Sequence, residues 1–254
     1  MQSLEIGMRH TLKLLGLSAC TLLTGWAHAQ SISGTDIRND YYNPSQNVSF
    51  SVRAYSPWDT SPDLDLRTQD GFTGVGVQGM TNGEIDWRNG ASESITLRLA
   101  APTSIASFTL GLLFNGPEYS DVREAASITV NGNQTYRLRT AGTENVANWS
   151  LGATLLGSFN YIAGAGTQLG QGGAVMVTNP FGNLLVNSIT FAASQGFSGG
   201  LCGSGGCTNQ SDYNIINVMR AAPVSPVPEP QTYALMLAGL GAVAFVARRR
   251  RRVG

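Results

Sequence analysis

Lysine, histidine and cysteine are scarce in this chain. Its 254 residues include one lysine, two histidines and three cysteines. Lys13, His10 and His28 all fall within the first 29 residues. From Gln30 onward there is no imidazole and no lysine amine, so a Ser-His-Asp or Cys-His nucleophile system has no base there. A histidine-ligated zinc or iron site has no ligands, and Schiff-base chemistry has no amine. Charge is low as well, at 13% of residues. Between residues 30 and 227 nine arginines stand against fourteen acids. That mildly acidic balance argues against nucleic acid and anionic lipid as partners. No catalytic residue, no metal and no cofactor is expected.

The two ends of the chain carry its export signals. Arg9, His10 and Lys13 form a basic n-region, Leu14 to Thr24 a short apolar core, and Ala27-His28-Ala29 a small-x-small cleavage site that leaves Gln30 first. Residues 1–29 therefore read as a secretory signal peptide. Leu17-Ser18-Ala19-Cys20 offers a second reading, the lipobox of a bacterial lipoprotein. That reading leaves Leu22, Leu23 and Trp26 as an apolar mature start with no evident purpose.

At the other end, Pro228-Glu229-Pro230 precedes an uncharged run from Tyr233 to Ala247 and then Arg248, Arg249, Arg250, Arg251 and Arg252. The run is short beside the ~20 residues that a bilayer core asks for. Arginines that snorkel to the interface lengthen it, and they hold that end cytoplasmic. The prolines keep the chain before the helix extended. Ala234, Ala238 and Ala242 recur every four residues and give the helix a small-residue face. The order of these parts resembles the PEP-CTERM sorting signal of Gram-negative exported proteins; an ordinary anchor behind a proline hinge is the alternative. The resemblance implies exosortase, a membrane-embedded cysteine protease, as processing partner, transient anchoring in the inner membrane, and release to the cell surface or extracellular matrix. It covers residues 228–254 and says little about the rest.

Between the signals, apolar residues alternate with polar ones. Val48, Phe50, Val52 and Ala54 form one such series, Ile95, Leu97 and Leu99 another, and Phe108, Leu110 and Leu112 a third. Ile128 and Val130, then Tyr136 and Leu138, flank the hairpin signal Asn131-Gly132-Asn133. Further strands are expected over 173–178, 184–193 and 213–219, and no window holds a helical period. Residues 30–220 are thus expected to form one all-β domain, an antiparallel β-sandwich of jelly-roll or Greek-key type, and residues 221–227 a spacer. One C-terminal transmembrane helix completes the expected fold.

Cys202 and Cys207 close a small glycine-rich loop, and in an oxidising compartment they are expected to form a disulfide stabilising by about 2 kcal/mol. Asp59, Asp63, Asp65 and Asp70 offer oxygen ligands, but Arg67 breaks the EF-hand pattern, so they read as a solvated face. Glu84, Asp86 and Glu93 have the chemistry of a hydrolase carboxylate pair or a calcium site, yet satisfy turn amides or pair with Arg88 and Arg98 more simply. Glu118, Asp121, Arg123 and Glu124 read as a solvated loop. Trp58, Trp87 and Trp149, with Tyr41, Tyr42 and Tyr55, are a candidate sugar platform, although aromatics in such folds usually pack. Together these point to a non-enzymatic surface or matrix protein associated with exopolysaccharide and biofilm. A carbohydrate-binding module is the first alternative, and a carboxylate-dependent glycoside hydrolase the second.

Overall fold

Period-two patterning builds two antiparallel sheets. The structure, a computed structural model, describes residues 30–44, 49–116, 120–142, 145–162, 173–199, 204, 207, 210–221 and 230–250. The signal segment with Ala27 and Ala29, together with Val48, Glu118, Cys202, Pro228, Glu229, Arg251 and Arg252, lies outside the described residues.

The first sheet is centred on β15 (Asn214–Arg220). One edge of β15 pairs with β8 (Ile105–Gly111), which in turn carries β13 (Val175–Thr178). The other edge is shared. β1 (Gln30–Ser33) pairs with its C-terminal half, while β4 (Phe72–Gln78) meets it at Ile215↔Val75 and carries β3 (Asp63–Gln69) on the far side. Asp70 and Gly71, with φ of 50° and 83°, turn the tight hairpin from β3 to β4.

The second sheet has seven strands. In spatial order they are β12 (Thr154–Asn160), β11 (Val146–Leu151), β10 (Gln134–Thr140), β9 (Arg123–Val130), β14 (Val186–Phe197), β7 (Ser94–Thr103) and β2 (Phe50–Tyr55). The short strands β5 (Trp87–Arg88) and β6 (Ala91–Ser92) pair as a separate ribbon.

The inner faces of the two sheets share one core. Phe108 of the first sheet meets Trp149 and Phe191 of the second, with ring centroids 5.4 and 5.8 Å apart. Trp149 stacks on Tyr136 at 5.1 Å and donates its indole N–H to the Pro180 carbonyl at 2.9 Å, so its one polar atom is satisfied in the interior. The alternating residues expected to face inward do so where they are described, Phe50, Ile95, Leu97, Phe108 and Ile128 among them. Leu112 is an exception in geometry, since its φ of 63° ends β8 rather than extending it.

Two helices complete the described residues. Period and pattern predict no helix before the tail, yet α1 (Gly34–Tyr42) is one. It is only nine residues long, too short for its period to stand out, and a reciprocal cap starts it. The Asp36 amide donates to Ser33 Oγ at 3.1 Å, and the Ser33 amide donates to Asp36 Oδ2 at 2.9 Å. α2 (Pro230–Arg250) is the apolar tail, and its described side chains from Ala234 to Phe245 are exposed. Among the described residues no helix is long and apolar enough to cross a membrane. The span expected from the sequence is therefore present as a helix but not as a full-length apolar one. Its apolar run over residues 233–247 covers about 22 Å, against a core of about 30 Å.

Candidate functional site

Six buried carboxylates converge where the chain crosses between the sheets. Three segments supply most of them. After β4 the chain folds back over its own strand, and Val77 donates to the Glu84 carbonyl at 2.7 Å. Gly76 makes this possible, since a Cβ there would lie 2.1 Å from the Glu84 amide nitrogen. The same segment then runs beside the approach to β15. The Ile85 amide donates to the Tyr213 carbonyl at 2.7 Å and the Trp87 amide to that of Ser211 at 2.9 Å. Asp86 and Asp212 are thereby brought together. The third segment, between β8 and β9 and into the start of β9, carries Asp121 and Glu124. Glu124 accepts from the Phe114 amide through Oε2 and from the Asp212 amide through Oε1, the latter at 3.3 Å. Glu93, just before β7, accepts from the Asp86 amide at 3.2 Å and from Ser56 Oγ at 3.0 Å.

Each of Glu84, Asp86, Glu93, Asp121, Glu124 and Asp212 is at most 6% exposed. Ligand-type oxygens of Glu84, Asp86 and Asp212 lie within 4.8 Å of one another, and so do those of Asp121, Glu124 and Asp212. Asp212 belongs to both groups. Arg67 Nη1 pairs with Glu84 Oε1 of this cluster at 2.6 Å. Burial, aided by the Asp212 charge, pushes Glu84 up to about 9 despite that guanidinium. Burial likewise pushes Glu93 up to about 7 and raises Asp86. Glu124 and Asp212 rise well above the usual carboxylate range, through burial first and neighbouring carboxylates second.

These positions correct part of the sequence reading. Asp121 and Glu124 are interior groups and not a solvated loop; Glu124 stands within β9, in phase with the core residues Ala126 and Ile128. Glu84 pairs with Arg67 and not with Arg88 or Arg98. Asp86 and Glu93 do satisfy turn amides, as expected. Asp212 is the residue that sequence reasoning misses. A lone acid before the last strand carries no local signal, and only its buried partners give it meaning. Cys207 is disulfide-bonded, and its Sγ lies 3.2 Å from the Asp121 carbonyl oxygen.

The outer face of the seven-stranded sheet has the opposite character. Its strands contain five arginines, Arg53, Arg98, Arg123, Arg137 and Arg139, and one acid, Glu124, which points inward and is buried. Register places hydroxyls between the guanidinium groups. Arg53, Thr96, Thr190, Thr129 and Thr135 form one row across five strands. Within it, Thr96 and Thr190 hydroxyls are 2.9 Å apart, as are those of Thr129 and Thr135. Arg123, Arg139, Thr140, Ala141, Asn148 and Phe197 line a hollow of about 260 Å³ on this side, with the Arg123 guanidinium 5.6 Å from the Phe197 ring centre. Burial and Arg139 depress the Arg137 pKa. The net acidity counted from sequence thus conceals a segregation, with acids drawn inward at one end and arginines spread on one face.

The other candidates separate. Asp59 and Asp63 are exposed and Asp65 is half-buried, as a solvated face requires. The aromatics do not form one platform. Trp149 is core, Trp87 packs against the core, and Trp58 and Tyr55 are exposed. Tyr41 and Tyr42 pack edge to face and both hydrogen-bond β3 or the residue before it.

Comparison with known proteins places the tail. No curated protein matches the sequence. Among solved structures the chain is similar to the catalytic domain of a GH87 alpha-1,3-glucanase in complex with tetrasaccharides, at 13% identity and a TM-score of 0.30, over 72% of this chain and 30% of that one. It is also similar to a native glycosidic hydrolase, at 13% identity and a TM-score of 0.29, over 70% of this chain and 99% of that one. Likeness this distant carries no functional argument. The PEP-CTERM protein-sorting motif matches residues 226–252, the stretch that holds Pro228, Glu229, Pro230 and the arginines. By that motif the chain is a PEP-CTERM domain-containing protein, an exported protein bearing an exosortase sorting signal.

Proposed function

We propose that this protein is a non-enzymatic component of the cell surface or extracellular matrix that holds acidic exopolysaccharide on the outer face of its seven-stranded sheet. The signal peptide takes the chain across the inner membrane. The tail holds it there with the arginines cytoplasmic until exosortase cuts near Pro228-Glu229-Pro230 and releases it. The observation that carries the binding role is the outer face itself, five arginines with no outward acid in the same strands. Guanidinium groups take carboxylates in bidentate pairs, and the intervening threonine and serine hydroxyls suit sugar hydroxyls. Arginines two residues apart on a strand stand about 7 Å apart, a spacing suited to one carboxylate per sugar. DNA carries a charge about every 1.7 Å and is the poorer match.

The converging carboxylates favour this reading over glycoside hydrolysis. A hydrolytic pair has to flank a glycosidic bond in an open cleft. Glu93 and Glu124 are 0% exposed, so a sugar polymer has no path to them.

Affinity electrophoresis of the released protein in alginate, a uronate polymer, and in neutral dextran tests the binding role. Alginate is expected to retard it, increasingly so at low salt. The Arg98→Ala, Arg139→Ala double variant is expected to lose about tenfold in affinity, a change worth about 1.4 kcal/mol. Equal retardation in dextran, tighter binding to duplex DNA, or an unaffected double variant would refute it.

A further inference from the structure

We propose that the buried carboxylate cluster is a structural site for one hard divalent cation of the calcium class, centred on Asp212. The spacing fits such an ion. Calcium takes oxygen ligands at about 2.3–2.6 Å, so two oxygens on one ion are at most about 5 Å apart. The oxygens of Glu84, Asp86 and Asp212 lie within 4.8 Å of one another, as do those of Asp121, Glu124 and Asp212. Magnesium, at about 2.1 Å, would require a tighter cage and nearly ideal octahedral geometry.

A second observation, independent of the acids, also points to a ligand. Asn214 is 3% exposed, and its Oδ1 has no hydrogen-bond partner. Its Nδ2 is directed to the Arg67 carbonyl at 3.5 Å, which fixes Oδ1 as the free end of the amide. Asp212 and Asn214 are alternate residues of an extended segment, so they leave the chain on the same side. That side is the one facing away from the core, because Asn214 pairs with Gly111 while the neighbouring Ile215 pairs with the core residue Leu110. Glu84 is folded over the same side of β4, at Gly76. Gly74 and Gly111 leave the space that the amide oxygen occupies, since a Cβ at either would come within 2.6 Å of it. A buried amide oxygen without a partner, on the same side of the chain as Asp212, is what a calcium ion takes and what an apolar interior penalises.

Charge gives the same answer. Against six interior carboxylates, Arg67 is committed to Glu84 and Arg88 acts on Asp86. A divalent cation would displace protons from these carboxyls and bridge segments otherwise joined by a few amide hydrogen bonds. The ion, held by Glu84, Asp86 and Asp212, would tie the chain after β4 to the approach to β15. Sequence alone predicts no metal here, because Asp121 and Glu124 read as surface groups and Asp212 stands apart from both.

The mature protein, stripped with EDTA and titrated with calcium chloride in a calorimeter, tests the site. One equivalent is expected to bind, protons are expected to be released at neutral pH, and the melting temperature is expected to rise by about 5 °C or more at saturation. Magnesium chloride is expected to bind at least about tenfold more weakly. Asp212→Asn is expected to abolish the calcium-dependent rise. Should that variant fail to fold, Asn214→Ala is the second probe, with calcium affinity expected to fall about tenfold. Absence of both heat and melting shift in the native sequence would overturn the proposal. So would an Asp212→Asn or Asn214→Ala variant that binds calcium as the native protein does.

Discussion

In the presence of chelator, raising the pH from about 5 to about 8 will weaken this fold, the reverse of the usual effect of ionising carboxylates. Glu93 shows the magnitude. Burial moves it from 4.5 to about 7 in the native protein, while in the unfolded chain it titrates at its ordinary value. Between those two values the native state keeps a proton that the unfolded state has released. The stability from that proton is fully present below pH 4.5 and is lost as pH rises through about 7. Each pH unit in the window is worth about 1.4 kcal/mol, so Glu93 alone removes roughly 3 kcal/mol. Glu84, raised to about 9, carries the same slope further, and Asp86, Glu124 and Asp212 shift in the same direction. Against a typical total of about 5–15 kcal/mol this is a large fraction. Urea unfolding followed by tryptophan fluorescence measures it, because Trp149 is 2% exposed and reports loss of the core. A midpoint that stays level or climbs from pH 5 to 8 in EDTA would refute the reasoning. Saturating calcium is expected to flatten the slope, since ligating carboxylates have already given up their protons.

Three further outcomes are expected. Trp149→Ala will cost about 3–5 kcal/mol in urea denaturation, because it opens a cavity beside Tyr136 and Phe108 and strands the Pro180 carbonyl. Gly76→Val will prevent soluble expression of folded protein, since the added Cβ meets Glu84 backbone that has no room to move; a normal melting curve would show the approach to be looser. Intact mass spectrometry of protein released from cells with a working exosortase will find Gln30 at the front and no arginine cluster at the rear, whereas cells lacking the protease will retain the full tail.

Local chemistry is legible from the sequence wherever neighbours along the chain settle the matter. Alternation marks the strands because a half-buried strand must alternate, and Asn131-Gly132 marks a hairpin because both residues adopt positive φ, 54° and 74°. The sorting tail is legible because its parts are contiguous. α1 is also written in the sequence, in Ser33 and Asp36, but a short capped helix has too few turns to show a period. The acidic cluster and the arginine face belong to another class. Asp86, Glu124 and Asp212 are separated by tens of residues, and each alone looks like a surface acid. Strand pairing brings them into one interior space and turns Arg53, Arg98 and Arg139 outward together. Sequence by itself determined which residues alternate and where the chain is addressed. Tertiary structure alone decided which charges share a dielectric environment, because the energy of a charge depends on burial and on neighbours in space, not on neighbours along the chain.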